Sequence, residues 1–470
     1  MVVGEFTRET DLLVIGGGPG GYSVAFKAAD NGIQTTIVES GPALGGVCLH
    51  RGCIPSKTLL AMAEMLSLPD HAAVMGIEFA KPKIHPDQVN AWKQQVIDKL
   101  ARGLGSSARR RKIDIIRGTA RFEDARHVAL TDGEVRRIKF KRAVIATGSR
   151  PVHLGDIQID DPRVVDSTGA LQLERIPKTA LVVGGGYIGL ELGSVLAAMG
   201  STVTVVEMLD GLLPGCDADL VRPLAKGLNK AFAQICLNTR VTGMSATKTG
   251  IKVGFDGKNV PQRKTFEQVL VAVGRRPNGD AINASAAGIK LTDRGFIEVD
   301  AQFRTQNPRV YAIGDIIGDP MLAHKAIAEG RVLGNILAGT ETVFDARCIP
   351  AVVFTDPEIA WAGLTESEAK SAGVPIEVRK VQWAASGRAV AIGRTDGLTK
   401  IIFDPQTQRV LGVGLVGPHV GEMIAEAVLA IEMGAVAADL ALSVHPHPTV
   451  SELVSELSDA MMSPGSGPAH

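Results

Sequence analysis

The apolar positions of the chain form short runs that predict buried strands, and two of these runs open the same pattern. Residues 11–15 predict a strand, which is followed by a glycine-rich turn, a helix and a second strand at 35–39. The order repeats from residues 180–183 to a strand at 202–207. Short apolar runs bounded by glycine are typical of strands buried on both faces of a parallel sheet. The chain therefore predicts an internal repeat of two strand–turn–helix–strand units.

Both turns carry a complete dinucleotide-binding fingerprint, with an acidic residue at the same distance from the first glycine in each copy. The positions are Gly16, Gly18, Gly21 and Glu39 in the first copy and Gly184, Gly186, Gly189 and Glu207 in the second. The first glycine permits the tight turn, the second lets the backbone approach the pyrophosphate, and the third lets the helix pack on the strand. The acid accepts hydrogen bonds from a ribose. Two matches with one spacing predict two Rossmann-like dinucleotide-binding domains.

A second repeated element completes each copy. Residues 143–151 resemble residues 269–277, and each segment predicts a late strand that returns beside its nucleotide and ends in a glycine. The candidate cofactor contacts here are Thr147, Gly148, Ala272 and Gly274. A third glycine pattern, at residues 412–417, follows a hairpin-like segment and has alanine where the acid would stand. We interpret it as strand and turn glycines of a domain that binds no nucleotide.

Length and charge narrow the class of protein. A chain of 470 residues predicts about three or four domains. Its 50 basic and 50 acidic residues argue against a general role on nucleic acid or anionic membranes. The basic run at residues 109–112 fits a solvated helix end better than a docking patch for an acidic partner. No apolar run reaches the ~18 residues of a membrane span, and no signal-peptide pattern is present, so we expect a cytoplasmic protein.

Cys48 and Cys53 lie in a segment that begins shortly after the first fingerprint. A dithiol beside a bound dinucleotide can take electrons from a substrate and pass them to the cofactor. Pro55 suits the first turn of a helix, so Cys53 is predicted at a helix N-terminus, where the dipole lowers a thiol pKa, and Lys57 adds positive charge. We expect Cys53 to face the cofactor and Cys48, on the glycine-rich loop, to exchange with substrate. The alternative is two buried cysteines near a turn without a redox role.

The dithiol also indicates which cofactor binds where. A flavin can form an adduct with sulfur, whereas nicotinamide is a hydride carrier, so we assign FAD to the first site and a nicotinamide dinucleotide to the second. Glu207 would repel a 2′-phosphate, and no basic residue follows it until Arg222. NAD is therefore favoured over NADP. No metal site is predicted.

Thiol–disulfide exchange needs a proton acceptor, and His447 is the candidate base. We expect it at the mouth of a helix, with Glu452 about a turn inside the helix and able to orient the imidazole. Thr449 and Glu452 also have the spacing of a capping box, in which Glu452 would bond back to the main chain. Spacing alone leaves both roles open.

With these segments in place, the chain resembles the dihydrolipoyl dehydrogenase family, the flavoprotein component of 2-oxo acid dehydrogenase and glycine-cleavage complexes. The likeness covers nearly the whole chain. It rests on the segments 46–57, 311–315, 322–326 and 445–449.

The resemblance implies a role for each matching residue. Cys48 and Cys53 would form the redox-active disulfide, Lys57 would lie near the flavin and pair with Glu191, and His447 would be the acid/base oriented by Glu452. Further FAD contacts would be Gly46, Ala120, Asp315 and Ala323.

The same resemblance implies an architecture and partners. It implies an FAD domain at 1–151, an NAD domain at 152–280, a central domain at 281–348 and an α+β interface domain at 349–470. The histidine would reach the dithiol of the other subunit of a homodimer. No lipoyl-type domain precedes the first fingerprint, so we expect the lipoyl group to come from an acyltransferase or a glycine-cleavage carrier protein.

The chain departs from the family pattern at Val47 and His50, where Thr and Asn are more common, and His50 could alter the local electrostatics. Related classes fit less well. NADP-using glutathione-type reductases need basic residues after the second sheet's strand, and mercuric reductases carry a further cysteine pair, whereas no cysteine follows Cys348. A non-catalytic dinucleotide sensor would have no need of the dithiol.

Overall fold

The computed structural model describes residues 7–131, 135–258 and 260–463. Its helices have these bounds: α1 Pro19–Asp30, α2 Gly46–Arg51, α3 Cys53–Val74, α4 Pro86–Arg110, α5 Ser167–Ala170, α6 Tyr187–Ala198, α7 Ala218–Ala231, α8 Ala323–Leu337, α9 Glu366–Ala372, α10 Gly387–Ala391, α11 Val420–Met433, α12 Ala437–Ala441 and α13 Glu452–Met462.

The strands have these bounds: β1 Thr7–Ile15, β2 Thr35–Glu39, β3 Asp114–Arg117, β4 Ala120–Phe122, β5 His127–Leu130, β6 Arg137–Ile145, β7 Ser149–Pro151, β8 Val164–Val165, β9 Thr179–Val183, β10 Thr202–Val206, β11 Gln234–Cys236, β12 Arg240–Ala246, β13 Ile251–Asp256, β14 Arg263–Phe266, β15 Gln268–Val271, β16 Arg275–Pro277, β17 Val310–Ala312, β18 Ala351–Val353, β19 Glu358–Gly363, β20 Glu377–Gln382, β21 Leu398–Phe403 and β22 Val410–Gly417.

The chain divides into two compact units, each made of several segments. The first contains Met1–Thr58, Asp87–Val152 and Gly274–Asp345. The second contains Leu59–Pro86, His153–Val273 and Ala346–His470. The finer division into four domains stays a prediction.

The first unit is built on a seven-stranded sheet in which β3, β2, β1 and β6 run parallel in that order. The start of β6 pairs antiparallel with β5, and its last three residues pair parallel with β17. Leu12, Leu13 and Val14 are fully buried, which explains why β1 reads as a continuous apolar run. Helices α1 and α8 approach closely because Gly330 has no side chain. A Cβ at this position would lie only 2.8 Å from the Gly20 carbonyl oxygen.

The second unit repeats the parallel arrangement, with β11, β10, β9, β15 and β8 in that order. It also contains an antiparallel sheet with the strand order β18, β19, β22, β21 and β20. Trp383, which follows β20, is fully buried, and its indole N–H donates to Thr399 Oγ1 in β21 at 3.0 Å. The third glycine pattern of the sequence lies in β22 of this sheet. Its interpretation as strand glycines is confirmed.

A cluster of opposite charges is buried in the second unit. The side chain of Lys400 is 1% exposed, and its Nζ lies 2.7 Å from Asp217, 2.8 Å from Asp219 and 3.0 Å from Glu366. Lys380 contacts the last two carboxylates at 2.7 and 2.6 Å. Three acids so close together have the spacing of a cation site, but two lysines already contact them and balance two of the three charges.

The observed elements agree with the expected α/β class, with two Rossmann-like sheets and a mixed C-terminal region. Helix α4 ends at Arg110, so the basic run does lie at a helix end. Over the described ranges, no helix combines the length and apolar character needed to cross a membrane.

Candidate active site

The first glycine of each fingerprint makes the turn from strand to helix. Gly16 has a φ of +102° and Gly184 a φ of +110°, in the region that favours glycine. A Cβ at Gly16 would lie 2.4 Å from the carbonyl oxygen of Ala146, and a Cβ at Gly184 would lie 2.3 Å from that of Ala272. In both copies the residue that follows the late strand (Ala146 or Ala272) therefore lies directly against the glycine turn, as the repeated sequence predicts.

The third glycine of each copy lets the helix pack on its strand. A Cβ at Gly21 would lie 1.8 Å from the Gly16 carbonyl oxygen, and a Cβ at Gly189 would lie 2.2 Å from that of Gly184. Neither position has room for a side chain, in agreement with the role predicted from the sequence.

The second glycine of each copy faces open space instead. A Cβ at Gly18 would meet only the Cα of Gly46, at 3.8 Å, and a Cβ at Gly186 would meet nothing within 4 Å. Positions 148 and 274 are also glycines with positive φ and open surroundings. These are the positions at which a ligand backbone can approach closely.

Glu39 and Glu207 each accept hydrogen bonds from the main chain of the loops beside them. Glu39 Oε2 accepts the N–H of Gly17 at 2.7 Å, and Glu207 Oε2 accepts the N–H of Gly185 at 2.6 Å. The other oxygen of each carboxylate accepts a main-chain N–H two residues further along the chain. The two copies thus match in their hydrogen bonds as well as in their spacing, and each acid lies beside its glycine turn.

Glu207 should also determine which nicotinamide dinucleotide the second site prefers. Met208 and Leu209, which follow it, are exposed apolar residues that offer nothing to a 2′-phosphate. We expect the pair of changes Glu207→Gln and Met208→Arg to raise the ratio of kcat/KM for NADP to that for NAD by about 10- to 100-fold, because it removes a like charge and adds a cation. The amide introduced by the first change keeps an oxygen that can accept the Gly185 N–H. Steady-state kinetics with both nucleotides measures the ratio, Met208→Gln is the control, and an unchanged ratio would contradict the assignment.

The redox segment packs directly on the first fingerprint. The N–H of Gly45 donates to the Gly17 carbonyl at 2.8 Å. A Cβ at Gly46 would lie 2.6 Å from the Cα of Gly18. The segment that carries the dithiol is therefore fixed against the loop predicted to hold the FAD diphosphate.

The two cysteines lie on two consecutive helices. Cys53 is the first residue of α3, as predicted. Cys48 lies inside the short helix α2, so its expected position on a glycine-rich loop is wrong. The glycines at the start of α2, Gly45 and Gly46, have positive φ, and a six-residue helix is too short to give a periodic signal in the sequence.

The Cys48 thiol is hydrogen-bonded to Cys53, as in a reduced pair. The hydrogen bond to Cys53 raises the pKa of the Cys48 thiol, burial and the charge of Cys53 raise it further, and Lys57 acts in the opposite direction. These contacts favour the protonated form of the Cys48 thiol. The positive end of the α3 dipole is at Cys53 and stabilises a thiolate there.

His50, one of the two departures from the family pattern, has a structural role. Its Nε2 lies 3.0 Å from the carbonyl oxygen of Leu44. A carbonyl only accepts, so Nε2 carries the hydrogen and ties α2 to the loop before it. The imidazole thus holds the redox segment in place.

The predicted flavin contacts beyond the fingerprint have distinct surroundings. Thr147 Oγ1 is buried and lacks a hydrogen-bond partner among the described residues. Asp315 accepts a hydrogen bond from Ser149 Oγ at 2.5 Å. Ala323 begins α8. Ala120 is 3% exposed as a residue and packs in the core of the first unit.

Sequence reasoning missed Ser149 and Arg275, which hold Asp315 in place. Arg275 donates from Nε to Ser149 Oγ and from its terminal nitrogen to the Ser149 carbonyl, both at 2.7 Å. The hydroxyl of Ser149 is then oriented to donate to Asp315. The two residues occupy equivalent places in the repeated segments 143–151 and 269–277, so the repeat itself could have revealed them.

Lys57 and Glu191 lie in different units. Lys57 follows Cys53 by one helical turn in α3. Glu191 is 2% exposed in α6, and its carboxylate accepts the main-chain N–H of Phe354 at 3.0 Å. Their pairing stays a prediction.

One carboxylate performs both roles that the sequence left open for Glu452. Its Oε1 lies 2.8 Å from His447 Nδ1, and its Oε2 accepts the N–H of Thr449 at 2.7 Å. Glu452 is the first residue of α13, so its expected position a turn inside the helix is wrong. The bond to Thr449 lowers the pKa of Glu452, and the bond to His447 lowers it further. The ionised carboxylate keeps the hydrogen of His447 on Nδ1 and leaves the lone pair on Nε2, as a general base requires.

The chain is similar to known proteins over nearly its whole length. The chain matches the pyridine nucleotide-disulphide oxidoreductase family over residues 10–330 and the dimerisation domain of that family over residues 349–458. The dihydrolipoyl dehydrogenase of Haemophilus influenzae is 48% identical over 95% of this chain and 94% of the relative. That of Geobacillus stearothermophilus is 42% identical over 98% of each chain. The solved structure of LpdA from Mycobacterium tuberculosis has a TM-score of 0.89 at 26% identity and covers 97% of this chain and 100% of that one.

The chain belongs to the dihydrolipoyl dehydrogenase family. Family membership confirms FAD and NAD as the cofactors, and it confirms the fold class inferred from the repeat. The described residues fit FAD and NAD. The buried hydroxyl of Thr147, which has no hydrogen-bond partner among them, could bond to a bound dinucleotide. The open space at Gly18 and Gly186 leaves room for a dinucleotide to approach the main chain. The dimerisation domain supports a homodimer.

Proposed function

We propose that this protein oxidises dihydrolipoamide carried by a partner protein and passes the electrons through FAD to NAD. The observation that carries the proposal is the dithiol itself, because Cys48 and Cys53 lie on a segment that packs against the FAD fingerprint at Gly18. A simple dinucleotide-binding protein has no use for such a pair.

The cofactors define the outer steps of the reaction. When bound, FAD accepts two electrons from the dithiol and supplies a hydride to NAD. The first fingerprint, with Thr147, Gly148 and Asp315, would hold FAD. The second, with Glu207 and Ala272, would hold NAD.

The chain's own residues carry out the thiol–disulfide exchange. His447 Nε2 takes the proton of one substrate thiol, and the resulting thiolate attacks the sulfur of Cys48 in the oxidised enzyme. A bond forms between the substrate sulfur and Cys48, the Cys48–Cys53 bond breaks, and its electron pair stays on Cys53. The helix start at Cys53 stabilises this leaving thiolate.

The second substrate thiol completes the reaction. His447 has by then released the first proton to solvent and takes the proton of this second thiol, whose thiolate attacks the substrate sulfur bonded to Cys48. The lipoamide ring closes and Cys48 is released. The raised pKa of Cys48 means that this sulfur takes up a proton as it leaves. The protonated His447 is the nearest source in the mechanism, so one histidine acts as base and then as acid.

We further propose that the partner subunit's His447 serves the dithiol of each chain, which makes the homodimer the catalytic unit. The similarity to dihydrolipoyl dehydrogenases supports a place for this protein in 2-oxo acid dehydrogenase complexes. The lipoyl carrier would be their acyltransferase or the glycine-cleavage carrier protein, and the compartment would be the cytoplasm. Recovery of either carrier with the tagged protein would distinguish them.

The activity is tested with purified, FAD-loaded protein. We expect NADH to form from NAD and dihydrolipoamide, and we expect glutathione disulfide with NADPH to give a rate at least about 100-fold lower, because the second site repels a 2′-phosphate. Apoprotein without FAD is the control. A preference for glutathione disulfide with NADPH would overturn the proposal.

A further inference from the structure

A second histidine–carboxylate pair lies beside the proposed base. His445 Nε2 is 2.7 Å from Glu426 Oε1, and His445 Nδ1 is 2.9 Å from the carbonyl oxygen of Ser443. The side chain of His445 is 9% exposed, whereas that of His447 is 81% exposed. Of the two histidines in this segment, the one without an assigned role is the one whose side chain is largely covered.

Both ring nitrogens of His445 are engaged. A main-chain carbonyl oxygen faces Nδ1, and a carboxylate faces Nε2. With neither nitrogen open to a substrate thiol, His445 is held in one orientation by two hydrogen bonds.

The segment around His445 offers few main-chain N–H groups for hydrogen bonding. Residues 446 and 448 are prolines, which have no N–H to donate, and Val444 is 99% exposed. Glu426 belongs to α11, a helix whose residues Ile424 and Ala427 pack in the core of the second unit. The His445–Glu426 pair thus connects the segment that carries His447 to a fixed helix.

The charge of His445 also acts on the other carboxylate. It is one of the charges that lower the pKa of Glu452, after the contributions of Thr449 and His447. Glu452 is the group that holds Nδ1 of His447. His445 therefore supports the base through its main chain and also favours the ionised form of the carboxylate that orients it.

We infer that His445 and Glu426 are positioning residues for the acid/base chemistry of His447. They anchor the His-Pro-His-Pro segment to α11 and do not touch the substrate. The inference rests on the proposed function. A base displaced by ~1 Å loses up to about 100-fold in rate, so the pair should affect turnover far more than substrate binding.

The test compares His445→Gln, Glu426→Gln and the double variant in the FAD-loaded dimer. We expect each single change to lower kcat for dihydrolipoamide oxidation by about 10- to 100-fold while KM changes by less than about twofold. Because the two residues act as one unit, the kcat of the double variant should be little lower than that of the more impaired single variant. Reduction of the flavin by NADH, which does not use His447, should keep its wild-type rate.

His127→Gln is the matched control, because His127 also pairs with a carboxylate, with Nδ1 2.9 Å from both oxygens of Asp124, in the first unit. It should leave kcat unchanged. Wild-type kcat in both single variants, losses that multiply in the double variant, or an equal loss in the NADH half-reaction would each overturn the inference. An inactive wild-type protein would instead overturn the proposed function together with this inference.

Discussion

Replacing Cys53 with serine is expected to lower dihydrolipoamide-dependent formation of NADH by at least about a thousandfold, because a serine oxygen can form no disulfide and cannot pass electrons to the flavin. Cys48→Ser should have an effect of the same size for the same reason. Stopped-flow and steady-state assays of the FAD-loaded variants measure it. Reduction of the flavin by NADH should continue in both variants, since that half-reaction bypasses the dithiol.

Cys216→Ser is the matched control for this experiment. Burial raises the pKa of the Cys216 thiol to about 12, so this cysteine stays protonated and unreactive at neutral pH. We expect its replacement to leave turnover within about twofold of wild type. Substantial dihydrolipoamide turnover in Cys53→Ser would contradict the assignment of the redox pair.

Replacing His447 with alanine should lower kcat for dihydrolipoamide oxidation by about 100- to 10,000-fold, because the substrate thiol then loses its proton acceptor. Glu452→Gln should cost less, because an amide oxygen can still accept a hydrogen bond from Nδ1 although the charge is gone. The rates should recover in part at higher pH, where more of the substrate thiol ionises without help. Steady-state kinetics over a pH series measures both effects.

His419→Gln is the control for the histidine experiment. The side chain of His419 is 69% exposed, and its Nε2 lies 3.7 Å from Glu64, so its loss should not change turnover. Wild-type rates in His447→Ala would show that the proton acceptor is another group. Equal losses in His447→Ala and His419→Gln would show that the assay reports a general disturbance of the protein.

The repeated fingerprints could be predicted closely because their residues leave few alternatives. A glycine whose Cβ would lie 1.8 Å from a carbonyl oxygen, as at Gly21, tolerates no other side chain, so sequence and geometry are tightly linked there. The predicted strand at 35–39 has the bounds that the structure gives to β2. The position of Cys53 at the start of α3 follows from the preference of proline for the first helical turn.

Other features depend on contacts that no local pattern encodes. The short helix of the redox segment, α2, is held by the bond from His50 to Leu44 and by contacts with the fingerprint loop. The two-sided use of Glu452 requires His447 and Thr449 to face opposite oxygens of one carboxylate, which spacing alone does not determine. The Arg275–Ser149–Asp315 chain joins residues 126 and 166 positions apart.

The central claim is that Cys48 and Cys53 alternate between disulfide and dithiol while serving the flavin. This claim is tested by alkylating the FAD-loaded protein before and after reaction with one molecule of dihydrolipoamide per chain. Mass spectrometry then identifies the cysteines that were modified. We predict that both cysteines resist alkylation at first and react afterwards, while Cys216 does not change. Bleaching of the flavin without new thiols at positions 48 and 53 would contradict the account.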